Sequence, residues 1–190
     1  MFRYIERENF EFFYRNRLGF RMDLIDIEGT GEETKKFDEL ALNEIFVAEK
    51  DVCKTSCFKL KADGKYLGKF KSSGIIISSG TGSTGWLYSA MRMSQIDVMR
   101  VLDKLGAHNE PEEVHQYMAQ ALTDKTMFKP SENKMYYFVR ETCGQRAVCY
   151  GEDHFTPNAT GFAEELEFTS ELLEGKVNID GLTNIPTYWN

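Results

Sequence analysis

Residues 72–90 read SSGIIISSGTGSTGWLYSA: an apolar run from Ile75 to Ile77, then Gly80-Thr81-Gly82-Ser83-Thr84-Gly85, then a helix-compatible segment. The glycines satisfy G-x-G-x-x-G, the spelling of a dinucleotide-binding turn. A doubly wound nucleotide fold needs strand, glycine turn and helix, and then a parallel strand ending in an acid about 20 residues on. The first three parts are present. Asp97 and Asp103 lie near the right distance, but inside a helical pattern, and strand-like segments already precede the motif. The stretch therefore reads as a strand-to-helix loop of another fold. Its glycines allow close backbone approach, and its hydroxyls serve either as caps or as ligand donors.

Working outward, the chain is β-rich. From 10 to 24, Phe10, Phe12, Tyr14, Leu18, Phe20, Met22 and Leu24 share one parity. This predicts a half-buried strand, or two with a break near Asn16. Residues 26–38 are polar and glycine-containing and read as a loop. LALNEIFVAE, 40–49, reads as a buried strand with Asn43 and Glu44 in its middle. CFKLKADGKYLGKF, 57–70, is a hairpin turning at Asp63-Gly64. MYYFVRE, RAVCYG, EELEFTS and KVNIDG are later strands.

After the glycine loop the period becomes helical. Ile96, Met99, Leu102 and Leu105 form one face, and Gly106 reads as a C-cap. Asn109 and Glu112 suit a capping box for a second helix whose face is Val114, Tyr117, Met118, Ala121 and Leu122. These methionines and their neighbours either fill the contact of an inserted hairpin or form an adaptable surface, and the first is favoured. His115, beside that face, reads as a surface hydrogen-bonder. The expectation is one mainly β domain over 1–190, sandwich-like, with a helical pair inserted at about 90–126: α+β overall.

Composition narrows the function. The 190 residues carry 42% apolar and 13% aromatic side chains and a net charge of −7. That supports a buried core and gives no basic face for nucleic acid. An anionic partner would need locally placed donors. No run of about 18 apolar residues suggests a membrane span. The N-terminus shows no targeting signal. Cys53, Cys57, Cys143 and Cys149, with His108, His115 and His154, have no metal-ligand spacing, so no metal site is expected.

Two motifs in order, ALNEIFVAE and then SSGIIISSGTGSTGWLYSA, resemble NAD kinase. Its members carry an Asn-Asp or Asn-Glu pair in a strand and, later, a strand entering a T-P-T-G-S-T-A-Y-like loop that ends in Ser-Ala. The helical insertion and FEFFYRNRLGF, 10–20, are similar to the mitochondrial-type branch, and VNIDGL, 177–182, to the family's late Asp-Gly turn. The resemblance implies the largely β C-terminal domain of an enzyme that moves the terminal phosphate of ATP, with Mg, to the adenosine-ribose 2′-hydroxyl of NAD. It implies that Asn43 and Glu44 contact adenosine and ribose. Thr81, Gly82, Thr84 and Gly85 would line the adenine pocket with Ser83, Trp86 would be the aromatic wall, Ser89 its support, and Asp180 part of the same NAD site. It also implies a homodimer and a mitochondrial, otherwise cytoplasmic, location.

The sequence departs from that pattern too. Gly80 replaces Pro, Gly85 replaces Ala, and Met91-Arg92 stand where Gly-Gly usually follows. The family's Gly-Gly-Asp-Gly, which handles phosphate and supplies the base for the 2′-hydroxyl, is missing from these residues, and no catalytic residue is assigned. The expectation is an NAD-binding domain separated from its ATP-binding domain and inactive alone. A non-catalytic binding or oligomerisation module of the same fold is the alternative, with a Rossmann oxidoreductase a distant third.

Overall fold

The computed structural model describes residues 12–25, 34–51, 53–107, 110–142 and 159–187. Among these residues eleven strands and three α-helices follow in order: β1 Leu18–Ile25, β2 Thr34–Ala41, β3 Glu44–Glu49, β4 Ser56–Ala62, β5 Lys65–Ser72, β6 Ile75–Ser78, α1 Trp86–Ala90, α2 Gln95–Lys104, α3 Glu112–Asp124, β7 Met135–Val139, β8 Thr160–Ala163, β9 Leu166–Ser170, β10 Gly175–Ile179 and β11 Thr183–Pro186. A six-stranded sheet runs β11-β10-β3-β6-β7-β8; β5-β4-β9 form a second sheet and β1-β2 a third.

Among the described residues every strand pairing is antiparallel. After β6 the chain makes its glycine loop and three helices, then returns as β7 beside β6 in the opposite direction, with Ile75 opposite Val139. That return excludes a βαβ unit, so the loop is not a Rossmann turn. The architecture is mainly β with a helical pair inserted, as the residue pattern indicates.

Alternation builds the core. Phe58, Leu60 and Ala62 of β4 turn inward while Lys59 and Lys61 stay exposed. They pack with Ile45, Val47, Ile75, Ile77, Val139, Val177 and Ile179 of the large sheet. Burying each such aliphatic side chain contributes about 1.5–3 kcal/mol. All of β6 is buried because the sheet is covered on both faces: Ile76 points the other way, to Leu87, Tyr136 and the partly buried Phe46, Phe128 and Phe138. The β4–β5 hairpin turns at Asp63-Gly64 with φ 50° and 74°, the type I′ signature.

Several expectations need correction. Residues 34–38 are strand, not loop: Thr34 to Ala41 pair with Ile25 to Leu18, so cross-strand pairing overrides a polar sequence. The strand pattern of 10–24 holds from Leu18 onward, but Phe12 and Tyr14 are exposed on a segment that is not strand. Its break at Asn16 is anchored, the Asn16 N–H donating to the Pro130 carbonyl at 2.7 Å and its amide to that of Ser131. The third helix starts at Glu112 with Pro111 in the N-cap position, so no capping box begins it. Gly106 does end α2, at φ 82°. Asn109, His108 and RAVCYG lie outside the described residues, as do Cys143, Cys149 and His154. β8 and β11, short and glycine- or proline-bearing, carried no strand pattern of their own.

The helical faces also differ from expectation. The helices meet along a narrow seam, with Val98, Ala119 and Thr123 buried. Thr123 Oγ1 donates to the Ala119 carbonyl and accepts the Met93 N–H at 3.1 Å. Small residues suffice for that seam, so Ile96, Met99, Leu105, Tyr117, Met118 and Leu122 remain exposed. His115 is half-buried.

Candidate functional site

The polar pair does not sit in the middle of one strand. β2 ends at Ala41 and β3 starts at Glu44, so Leu42 and Asn43 form a corner between two sheets. A corner leaves backbone amides without ladder partners, and buried amides need acceptors. Asp180 supplies them. Its carboxylate accepts from Leu42 N at 2.7 Å, Asn43 N at 2.7 Å and Glu44 N at 3.2 Å. The Asp180 N–H donates back to the Glu44 carbonyl at 3.0 Å. Asp180 can aim this way because it opens the β10–β11 turn at φ 52°, a region that Asp tolerates.

The glycine loop closes on the same corner. Ser79 N donates to the Asn43 carbonyl at 2.8 Å. Ser79 Oγ donates to the Leu42 carbonyl and accepts the Gly82 N–H. Gly82 lies against Asn43 so closely that a Cβ would overlap the Asn43 carbonyl and stand 2.7 Å from Ser78 Oγ. Gly80 is pressed likewise onto the Lys129–Pro130 backbone. The glycines thus serve backbone-to-backbone approach.

Of the sequence-derived site residues, the structure brings Asn43, Glu44, Gly82 and Asp180 together at this corner. Among the described residues, the Asn43 amide and the Glu44 carboxylate have no hydrogen-bond partner, although both side chains are half-buried. Glu44's pKa is raised, first by burial and second by the nearby Asp180 charge. Thr81 Oγ1 is buried and also without a partner among the described residues. Thr84, Gly85, Trp86 and Ser89 follow on the exposed side of the loop. Ser89 Oγ donates to the Gly85 carbonyl at 3.3 Å, tying α1 to the loop. Ser83 turns inward: it is fully buried, donates to the Gly80 carbonyl at 2.8 Å and accepts the Phe128 N–H. It shapes the loop, as Asp180 shapes the corner.

Trp86 opens α1 and is 39% exposed as a residue. Beneath it lies Phe46, ring centroids 4.9 Å apart and planes at 56°. The Arg140 guanidinium stands 5.8 Å from the Trp86 centroid and 5.9 Å from that of Phe46. Phe46 lies two residues beyond Glu44 on β3 and so shares its face. That parity is the one sequence signal that could have marked Phe46. Arg140, Ser79 and Leu42 have no local signal, since only the fold brings them here.

Among the described residues, the corner offers an unpartnered carboxylate and an unpartnered amide, and the start of α1 offers an open aromatic face with a guanidinium beside it. An amide can meet a base edge, a carboxylate can accept from paired hydroxyls, and a ring can stack on a base. A separate hollow of about 580 Å³ opens between Tyr88, Arg92, Gln95, Gln116 and Gln120. It shares no lining residue with the corner.

No protein-family model matches the chain. It is 27% identical over 165 residues to NAD kinase 2, mitochondrial, of Xenopus tropicalis, covering 76% of this chain and 37% of that protein. It is 27% identical over 111 residues to the Homo sapiens protein of the same name, covering 56% of this chain and 25% of that protein. Among solved structures, yeast NADH kinase complexed with NADH matches 97% of this chain with 40% of its own, at a TM-score of 0.53 and 14% identity. The chain resembles NAD kinases in sequence and has the fold of the matching part of the NADH kinase. It spans well under half the length of these relatives.

Proposed function

We propose that these residues form the NAD-binding domain of an NAD kinase, holding the adenosine of NAD between the β2–β3 corner and the glycine loop. The observation that carries this reading is the seating of Gly82 on the Asn43 backbone. It joins the two motifs while leaving the Asn43 amide and the Glu44 carboxylate without protein partners among the described residues. In this reading Asn43 reads the adenine edge and Glu44 accepts from ribose hydroxyls. Trp86 stacks on the base, Thr81, Thr84 and Gly85 line the loop side, and Ser83, Ser89 and Asp180 hold the shape.

The reaction of the whole enzyme would be transfer of the ATP terminal phosphate to the adenosine-ribose 2′-hydroxyl. A ribose hydroxyl is a poor nucleophile until a base or a metal takes its proton. The sequence contains no Gly-Gly-Asp-Gly, and among the described residues no three His, Cys, Asp or Glu side chains gather as a metal cluster. The proposal for these residues is therefore binding and orientation of NAD, with the groups that would hold the ATP phosphates and magnesium, and the base, supplied by residues outside them. These residues alone would bind NAD without phosphorylating it. The names of the similar vertebrate proteins support a mitochondrial setting.

Titrating NAD while following Trp86 emission tests this, in a Trp189→Phe background because the sequence holds 2 tryptophans. A saturable change lost in Trp86→Ala and weakened in Asn43→Ala is expected. No response at millimolar NAD, by emission or calorimetry, would overturn the reading.

A second reading, an oligomerisation module, rests on the exposed Ile96, Met99, Leu105, Tyr117 and Leu122 of the helical pair. It is compatible with NAD binding and supports a homodimer. Sedimentation showing a strict monomer at high concentration would remove it.

A further inference from the structure

We infer that Arg140 is a positioning residue that, together with Phe46, holds the Trp86 ring in place as a preformed stacking wall. The inference rests on the NAD-binding reading for its purpose, but its geometry stands apart from it. Trp86 is the first residue of a helix of five, preceded by Gly85, so its backbone gives little restraint of its own. A tryptophan this exposed at such a position would sample several rotamers unless neighbours fixed it.

Two neighbours do so, from different strands. Phe46 packs at 4.9 Å in a tilted arrangement, the geometry that aromatic quadrupoles favour. Arg140 lies within cation–π reach of both rings, at 5.8 and 5.9 Å.

The surroundings are built for this arrangement. The Arg140 N–H donates to the Gly74 carbonyl at 2.8 Å and its carbonyl accepts the Ser73 N–H, so the backbone at the end of β7 is fixed. Gly74 sits at φ 121°, and a Cβ there would stand 2.8 Å from Ala48 Cβ and the Val47 carbonyl oxygen and 2.9 Å from Phe46 Cε2. The glycine therefore lets the turn close on β3 and leaves the Phe46 ring its place. Arg140 also makes a 3.6 Å ion-pair contact with Glu141, whose side chain is 71% exposed. A contact that open is worth little, which leaves the guanidinium free for the rings. A fixed wall lowers the ordering cost of binding, because the indole is already placed when the base arrives.

The test uses the chain with Trp189→Phe and reads Trp86 first without ligand, then with NAD. In Arg140→Met, Trp86 anisotropy is expected to fall and acrylamide quenching to rise in the ligand-free protein, with NAD bound about fivefold more weakly. Phe46→Leu, which keeps an apolar side chain, gives the same pair of changes. Arg140→Lys, whose cation can sit over one ring, falls between. Far-ultraviolet dichroism checks that each variant is folded.

Unchanged Trp86 anisotropy in folded Arg140→Met and Phe46→Leu overturns the inference. Arg140→Lys behaving as Arg140→Met assigns the effect to lost packing and overturns the cation's part. A loosened Trp86 with unchanged NAD affinity overturns the wall's role in binding. A parent protein that fails to bind NAD defeats the proposed function alone, because the ligand-free anisotropy still decides whether Arg140 and Phe46 hold the ring.

Discussion

Asp63 and Asp180 each open an Asp-Gly turn, at φ 50° and 52°, and each aims its carboxylate at backbone amides far away in sequence. Asp63 accepts from Glu164 N and Glu165 N, both at 2.9 Å, on the exposed end of the three-stranded β5-β4-β9 sheet. Asp180 accepts from Leu42, Asn43 and Glu44 at a half-buried corner. The local device is the same: a left-handed aspartate that turns a hairpin and staples a neighbouring segment. What differs is the segment held. Glu164 and Glu165 lead into a strand, whereas Asn43 and Glu44 are side chains with nothing in the described protein to bond. A turn that only holds structure and a turn that presents a site are told apart by what lies at the other end of the hydrogen bonds.

The comparison can be broken most severely from the opposite side of the corner. Gly82→Ala puts a methyl group into the Asn43 carbonyl. Backbone cannot give way as a side-chain tip can, so the corner or the loop must shift, at a cost of about 1–3 kcal/mol. The expected result is loss of the NAD response together with a lower thermal midpoint. A Gly82→Ala protein that binds NAD normally would show that the corner and loop do not act as one unit.

Asp180→Asn comes next. Asparagine tolerates the same φ but lacks the charge and the second oxygen that three amides share. A loss of about 2 kcal/mol is expected, along with clearly weaker NAD binding, read by denaturant unfolding and by titration.

Asp63→Asn sharpens the contrast. It removes the same chemistry at an exposed turn, so about 1 kcal/mol is expected, with NAD affinity unchanged. Equal effects of the two substitutions on NAD would erase the distinction drawn between the turns.

The smallest effect is one of pH. Burial, and then the Asp180 charge, raise the Glu44 pKa, so the folded chain keeps that proton to higher pH than the unfolded chain does. Stability from this group is then greatest below the ordinary carboxylate value and falls as pH rises through the raised one. Glu44→Gln should therefore be slightly more stable than the parent at neutral pH, the gap closing below about pH 4, while NAD binding weakens. Midpoints of both proteins across pH 4–8 check it. A parent that gains relative stability over Glu44→Gln as pH rises would contradict the burial argument.

Much of this fold was legible because its signals are local. The Ile75–Ser78 run, the alternation of Phe58, Leu60 and Ala62 with lysines, and Asp63-Gly64 each declare themselves within a few residues. Thr34 to Asp38 do not. Their polar character reads as a loop, and only pairing with β1 makes them strand. The helical faces read as buried because periodicity reports amphipathicity, not what covers the apolar side. Here the helices cover each other with Val98, Ala119 and Thr123, and the larger side chains stay outside.

The sequence by itself determined the β-rich class, the inserted helical pair and the two motifs, Asn43-Glu44 and the glycine loop, because residue type and period act over neighbours. It could not decide that the polar pair stands at a corner, that Asp180 holds the corner's amides 136 to 138 residues away, or that Phe46 and Arg140 flank Trp86. Those are contacts between segments with no shared pattern. Only the antiparallel return of β7 and the packing of sheet against loop bring them within bonding distance, because hydrogen bonds and ring contacts act over a few ångströms whatever the separation along the chain.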